Sequence, residues 1–341
     1  MRVLVTGGAG FVGSHVVDRL CEDGHEVVVL DSLAAHGGEP PSWWRTDVEA
    51  HVADVRDPDA WLRAARGADA VCHQAARVGL GLDPSDIRAY VADNDEGTAA
   101  GLWALHRLGF AGRLVLASSM VVYGEGLYRC PAHGDVRPGP RRAADLDAGR
   151  FDPPCPACGQ PLAWAPVDES AALDPRSVYA ATKLHQEHLC AVWGRETGVP
   201  VTALRYHNIV GPRCPRDTPY AGVASIFASA VARGERPRVY EDGAQVRDFV
   251  HVADVARANV LALTAERPVD GPLNVASGRP RTVLDLAEAA CAGTGLTPDI
   301  VGGGRLGDVR HIVASPARAR AVLGFQSEHT DPALALARPP L

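Results

Sequence analysis

Thr6-Gly7-Gly8-Ala9-Gly10-Phe11-Val12-Gly13 decides the architecture. The stretch closes a buried-strand run, Arg2 to Thr6, and opens a helical pattern from about Phe11 to Glu22. Strand, Gly-rich turn and helix in that order make a dinucleotide-binding unit. Gly7 permits the tight turn, Gly10 lets backbone approach a pyrophosphate, and Gly13 allows helix to pack closely on strand. The helix N-terminus, at Phe11 and Val12, then faces the phosphates. Glu26 to Leu30 reads as a second strand and ends on Asp31. A carboxylate there holds a ribose 2′-hydroxyl and repels a 2′-phosphate, and Ser32-Leu33 offers no Arg, so NAD is expected rather than NADP. Asp54-Val55, after a third strand, is a candidate cradle for the adenine.

Working outward, strands and helices alternate: Ala70 to Gln74, a helix around Asn94 to Leu108, Arg113 to Ala117, a long helix from Ser177 to Glu196, and Val201 to Tyr206. That alternation predicts an α/β chain with a doubly wound parallel sheet of Rossmann type. After Gly211, short strands (Arg238 to Tyr240, Asp248 to Val250, Leu273 to Val275) mix with short helices, which suggests a smaller C-terminal α/β lobe. The expected division is 1–126 and 167–210 for the dinucleotide lobe, 127–166 for an insertion, and 211–341 mainly for a substrate lobe, some of whose segments return to the first. The net charge of -7 over 341 residues argues against a nucleic-acid partner. No apolar run is long enough to cross a bilayer, and Met1 to Thr6 has no signal-peptide layout, so a cytoplasmic enzyme is expected.

Tyr179-Ala180-Ala181-Thr182-Lys183 lies in the long helix, where the spacing puts Tyr179 and Lys183 on one face. Lys183 is the only lysine in the chain. A phenol is a poor base at neutral pH, and a nearby cation favours its ionised form. Tyr179 could then take a proton from a hydroxyl while hydride leaves the same carbon. Ser119, at the end of a strand, could hydrogen-bond the same oxygen.

The chain resembles the extended short-chain dehydrogenases, in particular their NDP-sugar epimerases and dehydratases. The matching residues are Thr6 to Gly13, His73-Gln74-Ala75-Ala76, Asn94 with Gly97-Thr98, Ser118 to Gly124, Tyr179 to Lys183, Arg205 to Arg213, Arg247 to Val252 and Gly307-Asp308-Val309-Arg310. The resemblance implies that Ala75, Asn94 and Ser118 line the cofactor, with Tyr179 and Lys183 touching it too. It implies a substrate site of Ser119, Met120, Tyr179, His207 and Asn208, with Arg247, Arg305 and Arg310 on a diphosphate and Asp308 on the nucleotide ribose. It also implies a homodimer packed through the long helices, and a dTDP-, UDP- or GDP-sugar as substrate.

Departures from the family pattern narrow the chemistry. The 4,6-dehydratases carry an Asp–Glu pair after the catalytic Ser or Thr, and this chain has Met120 and Val121, which cannot move protons. What remains is hydride removal and return at one carbon, the 4-epimerase pattern. The stretch after Ser119 most resembles the dTDP-L-rhamnose 4-epimerase-like branch. His207 stands where the family usually has Phe, either as a reshaped pocket wall or as an acid–base group for a second step. Epimerisation at another carbon through a transient 4-ketone, a 4-keto-sugar reductase and a dinucleotide-sensing protein without catalysis are the alternatives.

The resemblance does not cover the insertion. Leu127 to Pro166 is rich in Pro, Gly, Arg and Asp and poor in apolar residues. Cys130-Pro131-Ala132-His133 and Cys155-Pro156-Ala157-Cys158-Gly159 form two closely spaced pairs that fit a tetrahedral Cys3His zinc site. With all four positions filled by protein the ion would be structural, replacing the missing core. A Cys155–Cys158 disulfide and free thiols are the alternatives.

Overall fold

Alternate residues of the first strand serve two different cores. Val3 and Val5 of β1 (Arg2–Thr6) join one apolar cluster and Leu4 joins another, because successive side chains of a strand point to opposite faces. A strand buried on both faces belongs in a sheet covered by helices on both sides. The computed structural model, which describes residues 1–79, 84–215, 222–304 and 307–329, shows that arrangement.

In chain order, β1 is followed by α1 (Phe11–Glu22), β2 (Glu26–Asp31), β3 (Glu49–Val52), α2 (Pro58–Ala64) and β4 (Ala70–His73). Next come α3 (Ile87–Tyr90), α4 (Gly97–Arg107) and β5 (Arg113–Ser119). The insertion contributes β6 (Leu127–Cys130), β7 (Gly134–Val136), α5 (Ala143–Asp147) and β8 (Ala163–Ala165). The long helix α6 (Val178–Thr197) leads to β9 (Val201–Tyr206) and β10 (Asn208–Val210). Then follow α7 (Val223–Ala232), β11 (Arg238–Tyr240), β12 (Val246–His251), α8 (Val252–Thr264) and β13 (Gly271–Val275). The described residues end with β14 (Pro280–Thr282), α9 (Val283–Cys291), β15 (Asp299–Gly302) and α10 (Ala317–Leu323).

Seven strands form one parallel sheet in the order β13-β9-β5-β4-β1-β2-β3. The order reverses between β1 and β4, and ligands of such sheets bind at the carboxyl ends of the strands beside that reversal. Helices α1 and α8 pack on one face, and α2, α4 and α6 on the other. Strand β13 and helices α8 and α10 thus return from late in the chain to the first sheet. The remaining late elements form small sheets of their own, β10-β12-β14 and β11-β15, around a core with Phe227, Phe249 and Leu286. The insertion is a three-stranded sheet, β7-β6-β8.

The helix expected from Asn94 begins earlier. Residues Ile87–Tyr90 are already helical and join α4 through a π-helical stretch, Val91–Glu96. The buried Asn94 occupies that stretch, where the wider turn aims it inward. No helix among the described residues is long and apolar enough to cross a membrane.

Candidate active site

The Gly-rich turn is shaped by contacts that no larger residue could make. Gly7 has φ +69°, and a Cβ there would lie 2.7 Å from the Ala75 backbone nitrogen. A Cβ at Gly13 would lie 2.0 Å from the Gly7 carbonyl oxygen, so only glycine lets α1 start this close to the turn. Gly10 is the N-cap of α1, and no side chain caps the first turn at Phe11 and Val12. Those are the properties a pyrophosphate requires of a helix N-terminus. Asp31 ends β2 beside the turn, its carboxylate accepting from the Ala9 N–H at 2.9 Å and the Leu33 N–H at 2.8 Å. The donor set and the glycine cradle both fit a dinucleotide. Asp54 is paired with Arg56 at 2.6 Å, and Val55 packs against Gly97 of α4. Asn94 holds the Arg77 backbone N–H at 2.7 Å and donates to Thr182 at 2.9 Å, so it ties the loop after β4 to α6.

Sequence reasoning missed two groups here. Trp43 Nε1 donates to the Ala9 carbonyl at 3.0 Å, and His36 lies 3.0 Å from the same oxygen. Both come from an irregular connection whose path no local pattern specifies. His73 stands out in the sequence only as part of a motif. Its ring lies 2.7 Å from Thr6 Oγ1 and 3.0 Å from Thr98 Oγ1, and burial with the nearby Lys183 charge pushes its pKa down to about 3. It is a neutral strut between β1, β4 and α4.

Ser119, Tyr179 and Lys183 come together from β5 and α6. Ser119 is the last residue of β5; its hydroxyl accepts from the Val121 N–H at 3.3 Å, and it lies near enough to the Tyr179 phenol to favour the phenol's ionised form. Ser177 caps α6 by accepting from the Ala180 N–H at 3.1 Å, which starts the helix at the register that presents Tyr179. Lys183, one turn later, donates from Nζ to the Ala117 carbonyl at 2.8 Å. Burial lowers the Lys183 pKa to about 8. The Tyr179 pKa goes the other way, up to about 12, because loss of solvent outweighs the lowering influence of the nearby Ser119 hydroxyl, and Tyr90 raises it further. The sequence suggests that Lys183 depresses the phenol. In the protein chain by itself, desolvation wins. Ser118 points to a different partner, the Glu187 carboxylate, which also holds Arg205 in a fork at 2.9 and 2.7 Å. Met120 and Val121 carry no titratable group, and Met120 packs against the cluster of Val122, Tyr123, Val167 and Ile312.

The substrate-side expectations divide. His207 and Asn208 follow β9 at its carboxyl end. Both ring nitrogens of the buried His207 and the Oδ1 of Asn208 lack a hydrogen-bond partner in the protein, which is costly unless a ligand supplies one. Burial, with Arg247 nearby, pushes the His207 pKa down to about 3, so its ring is neutral at physiological pH. Arg247 donates to the carbonyls of Val309 at 2.6 Å and Arg310 at 2.8 Å, with Asp308 as a nearby negative charge. Arg310 departs from expectation. Its guanidinium is fully buried and donates to Asp152 at 2.8 Å, Glu241 at 2.8 Å and Asp242 at 2.7 and 3.0 Å. All three of its nitrogens are committed to carboxylates of the protein, which leaves no fork for a diphosphate. Arg305 lies outside the described residues.

Cys130, His133, Cys155 and Cys158 form the one Cys, His, Asp and Glu cluster with metal-ligand geometry among the described residues, their ligand atoms all within 4.8 Å of one another. Cys130 Sγ lies 3.5 Å from His133 Nδ1 and 3.7 Å from Cys158 Sγ, and Cys155 Sγ lies 3.7 Å from His133 Nδ1. Tetrahedral Zn–S bonds of about 2.3 Å and Zn–N bonds of about 2.0–2.1 Å imply edges of about 3.5 to 3.8 Å. The donors fit that ion, and all eight cysteines are thiols rather than disulfides. Each ligand pair is on a tight turn: Gly134 (φ +68°) after the first, Gly159 (φ +73°) donating to the Cys155 carbonyl after the second.

Comparison with known proteins follows the same outline. The family model described as NAD dependent epimerase/dehydratase family matches residues 3–143 and 157–276. A dTDP-L-rhamnose 4-epimerase of Burkholderia thailandensis is 33% identical over 334 residues, covering 96% of this chain and 91% of that protein. Among solved structures, the UDP-glucose 4-epimerase of Thermus thermophilus in complex with NAD has a TM-score of 0.79 at 31% identity, with 98% of each chain covered. The UDP-N-acetylglucosamine 4-epimerase of Methanobrevibacter ruminantium has a TM-score of 0.77 at 27% identity, covering 98% of this chain and 95% of that one.

Proposed function

Because the chain belongs to the NAD dependent epimerase/dehydratase family, we propose that it epimerises a nucleotide-diphosphate sugar at C4, with NAD as a resident cofactor. The enzyme class rests on relatives named as NDP-sugar epimerases across almost the whole chain. The position of the chemistry rests on one observation. Tyr179, Ser119 and Lys183 converge at the carboxyl end of the sheet, and the next residues, Met120 and Val121, are unable to carry a proton.

In this reading the Gly7 to Gly13 turn and the start of α1 hold the pyrophosphate, and Asp31 holds the adenine-side ribose. Asp54, Val55, Ala75, Asn94 and Ser118 border the cofactor, Asn94 and Ser118 through the elements they fasten. Bound NAD supplies a reversible hydride acceptor. Tyr179 takes the C4 hydroxyl proton and later returns it, Ser119 hydrogen-bonds the same oxygen, and Lys183 holds positive charge behind the phenol. His207 and Asn208 offer unsatisfied groups to the substrate, and Arg247 with Asp308 borders the diphosphate and ribose. The Cys130, His133, Cys155 and Cys158 set holds a structural zinc. Val91, Trp103 and Val192 are exposed on the helical surface of the π stretch, α4 and α6, apolar area that a second copy would cover in a homodimer.

A thermal-shift panel of dTDP-, UDP- and GDP-sugars tests the substrate class. A ligand that binds only the native state raises its melting temperature. The reading expects a shift with at least one NDP-sugar and conversion to its C4 epimer; no shift and no conversion across the panel would contradict it.

A further inference from the structure

The segment after Gly307 is gripped from two sides. On one side are Arg247 and the rest of β12: besides the two carbonyl contacts of Arg247, the Val246 N–H donates to His311 Nδ1 at 3.0 Å. On the other side is the insertion. Arg141, with 3% of its side chain exposed, donates to the Asp308 carbonyl at 3.1 and 2.6 Å and to Glu241 at 2.5 Å. Asp152 accepts from Arg310 Nε at 2.8 Å and lies 3.2 Å from His311 Nε2. Buried Tyr128 accepts from the His311 N–H at 3.1 Å, and Phe151 lies under the Arg310 guanidinium. Most of these contacts are charge-assisted, and losing one partner weakens a shared network around the buried Arg310 and Glu241.

The family model leaves residues 144–156 unmatched, so whereas Arg141 lies within the stretch that the family model describes, Asp152 lies outside it. Its targets are the residues beside Asp308 and Arg247, which the proposed function places at the substrate. We infer that the insertion is a positioning element of the nucleotide-sugar pocket: Arg141 and Asp152 fix the segment from Asp308 to Ile312 and, through it, Arg247. The inference rests on the NDP-sugar reading for its functional consequence. The mechanical link stands on the contacts alone.

The test uses Arg141→Met and Asp152→Ala in the full chain. Backbone hydrogen exchange is followed in the absence of substrate, and steady-state kinetics with the NDP-sugar that the wild type converts. Amides of residues 309–312 are expected to exchange faster in both variants. KM is expected to rise about tenfold, the size of a coupling carried through packed side chains, with kcat changed less than about twofold. Asp152, with 58% of its side chain exposed, tolerates replacement even if Arg141→Met fails to fold. Unchanged exchange at 309–312, or a fall in kcat with KM unchanged, would overturn the inference. The exchange arm needs no substrate, so failure of the NDP-sugar reading shows up separately, as absence of turnover in the wild type.

Discussion

In the proposed reaction Tyr179 and Lys183 carry the chemistry, and each can be replaced by a side chain of similar size. Tyr179→Phe should keep the fold and lower kcat by roughly two to four orders of magnitude, the usual contribution of a positioned acid–base group. Wild-type turnover in purified Tyr179→Phe would show the assignment to be wrong. Lys183→Arg should be comparably damaging, because a guanidinium cannot replace a compact ammonium donating to the Ala117 carbonyl. Lys183 also leaves a signature in stability. Its pKa is about 8 in the folded chain, below the ordinary value of 10.5. Between those values the unfolded chain binds the extra proton, so wild-type stability rises with pH across that window. Relative to Lys183→Met, the wild type should therefore gain stability from about pH 8 to pH 10.5, measured by denaturant unfolding. A difference that stays flat with pH would mean that the amine is not desolvated. The shared helix position of Tyr179 and Lys183 was legible because a Tyr-x-x-x-Lys spacing in a helix is a local pattern. The fate of Arg310 was not. Its partners Asp152, Glu241 and Asp242 are brought together by the fold from far along the chain, and a lone arginine in sequence looks the same whether it meets a diphosphate or an internal carboxylate.

At the level of elements, the strands of the large sheet were readable as short apolar runs because burial on both faces leaves them little choice of residue. Strand ends were less so: β5 of the large sheet runs on to Ser119, and β12 of the small sheet spans Val246–His251, since residues such as Ser119, Arg247 and His251 carry polar side chains that do not mark a core. The long helix α6 is marked by its caps, Ser177 and Gly198, more than by its amphipathicity. Its buried face includes Thr182, Lys183, Gln186 and Glu187. The insertion was legible through its cysteines and histidine. Its grip on the 308–312 segment was not, because that grip is made of long-range ion pairs. Purified protein should contain about one zinc per chain by elemental analysis, and Cys155→Ser should contain much less. Removing the metal should loosen 127–166 before the large sheet, whose own core does not depend on it. Equal zinc in wild type and Cys155→Ser, or none in either, would remove the metal site from the account.

For the whole molecule, the Gly-rich turn, the start of α6 and the orphaned groups of His207 and Asn208 are all assembled at the carboxyl ends of the parallel strands, which in the proposed function puts cofactor and sugar on one side of the sheet. In the proposed reaction the lack of titratable groups at Met120 and Val121 leaves a single reacting carbon, with Tyr179 and Ser119 at the C4 oxygen. His207 is the alternative group for a proton transfer at a second carbon, and its depressed pKa leaves it neutral and a weak base. The decisive measurement is the fate of hydrogen at C4. An NDP-sugar that the enzyme converts, labelled with deuterium at C4 and incubated with catalytic NAD, should give a C4 epimer that keeps the label. The same reaction in heavy water should place no deuterium on carbon, and no net NADH should form. Solvent deuterium at C3, C5 or an exocyclic carbon, abolished by His207→Phe, would contradict the account, as would stoichiometric consumption of a reduced cofactor.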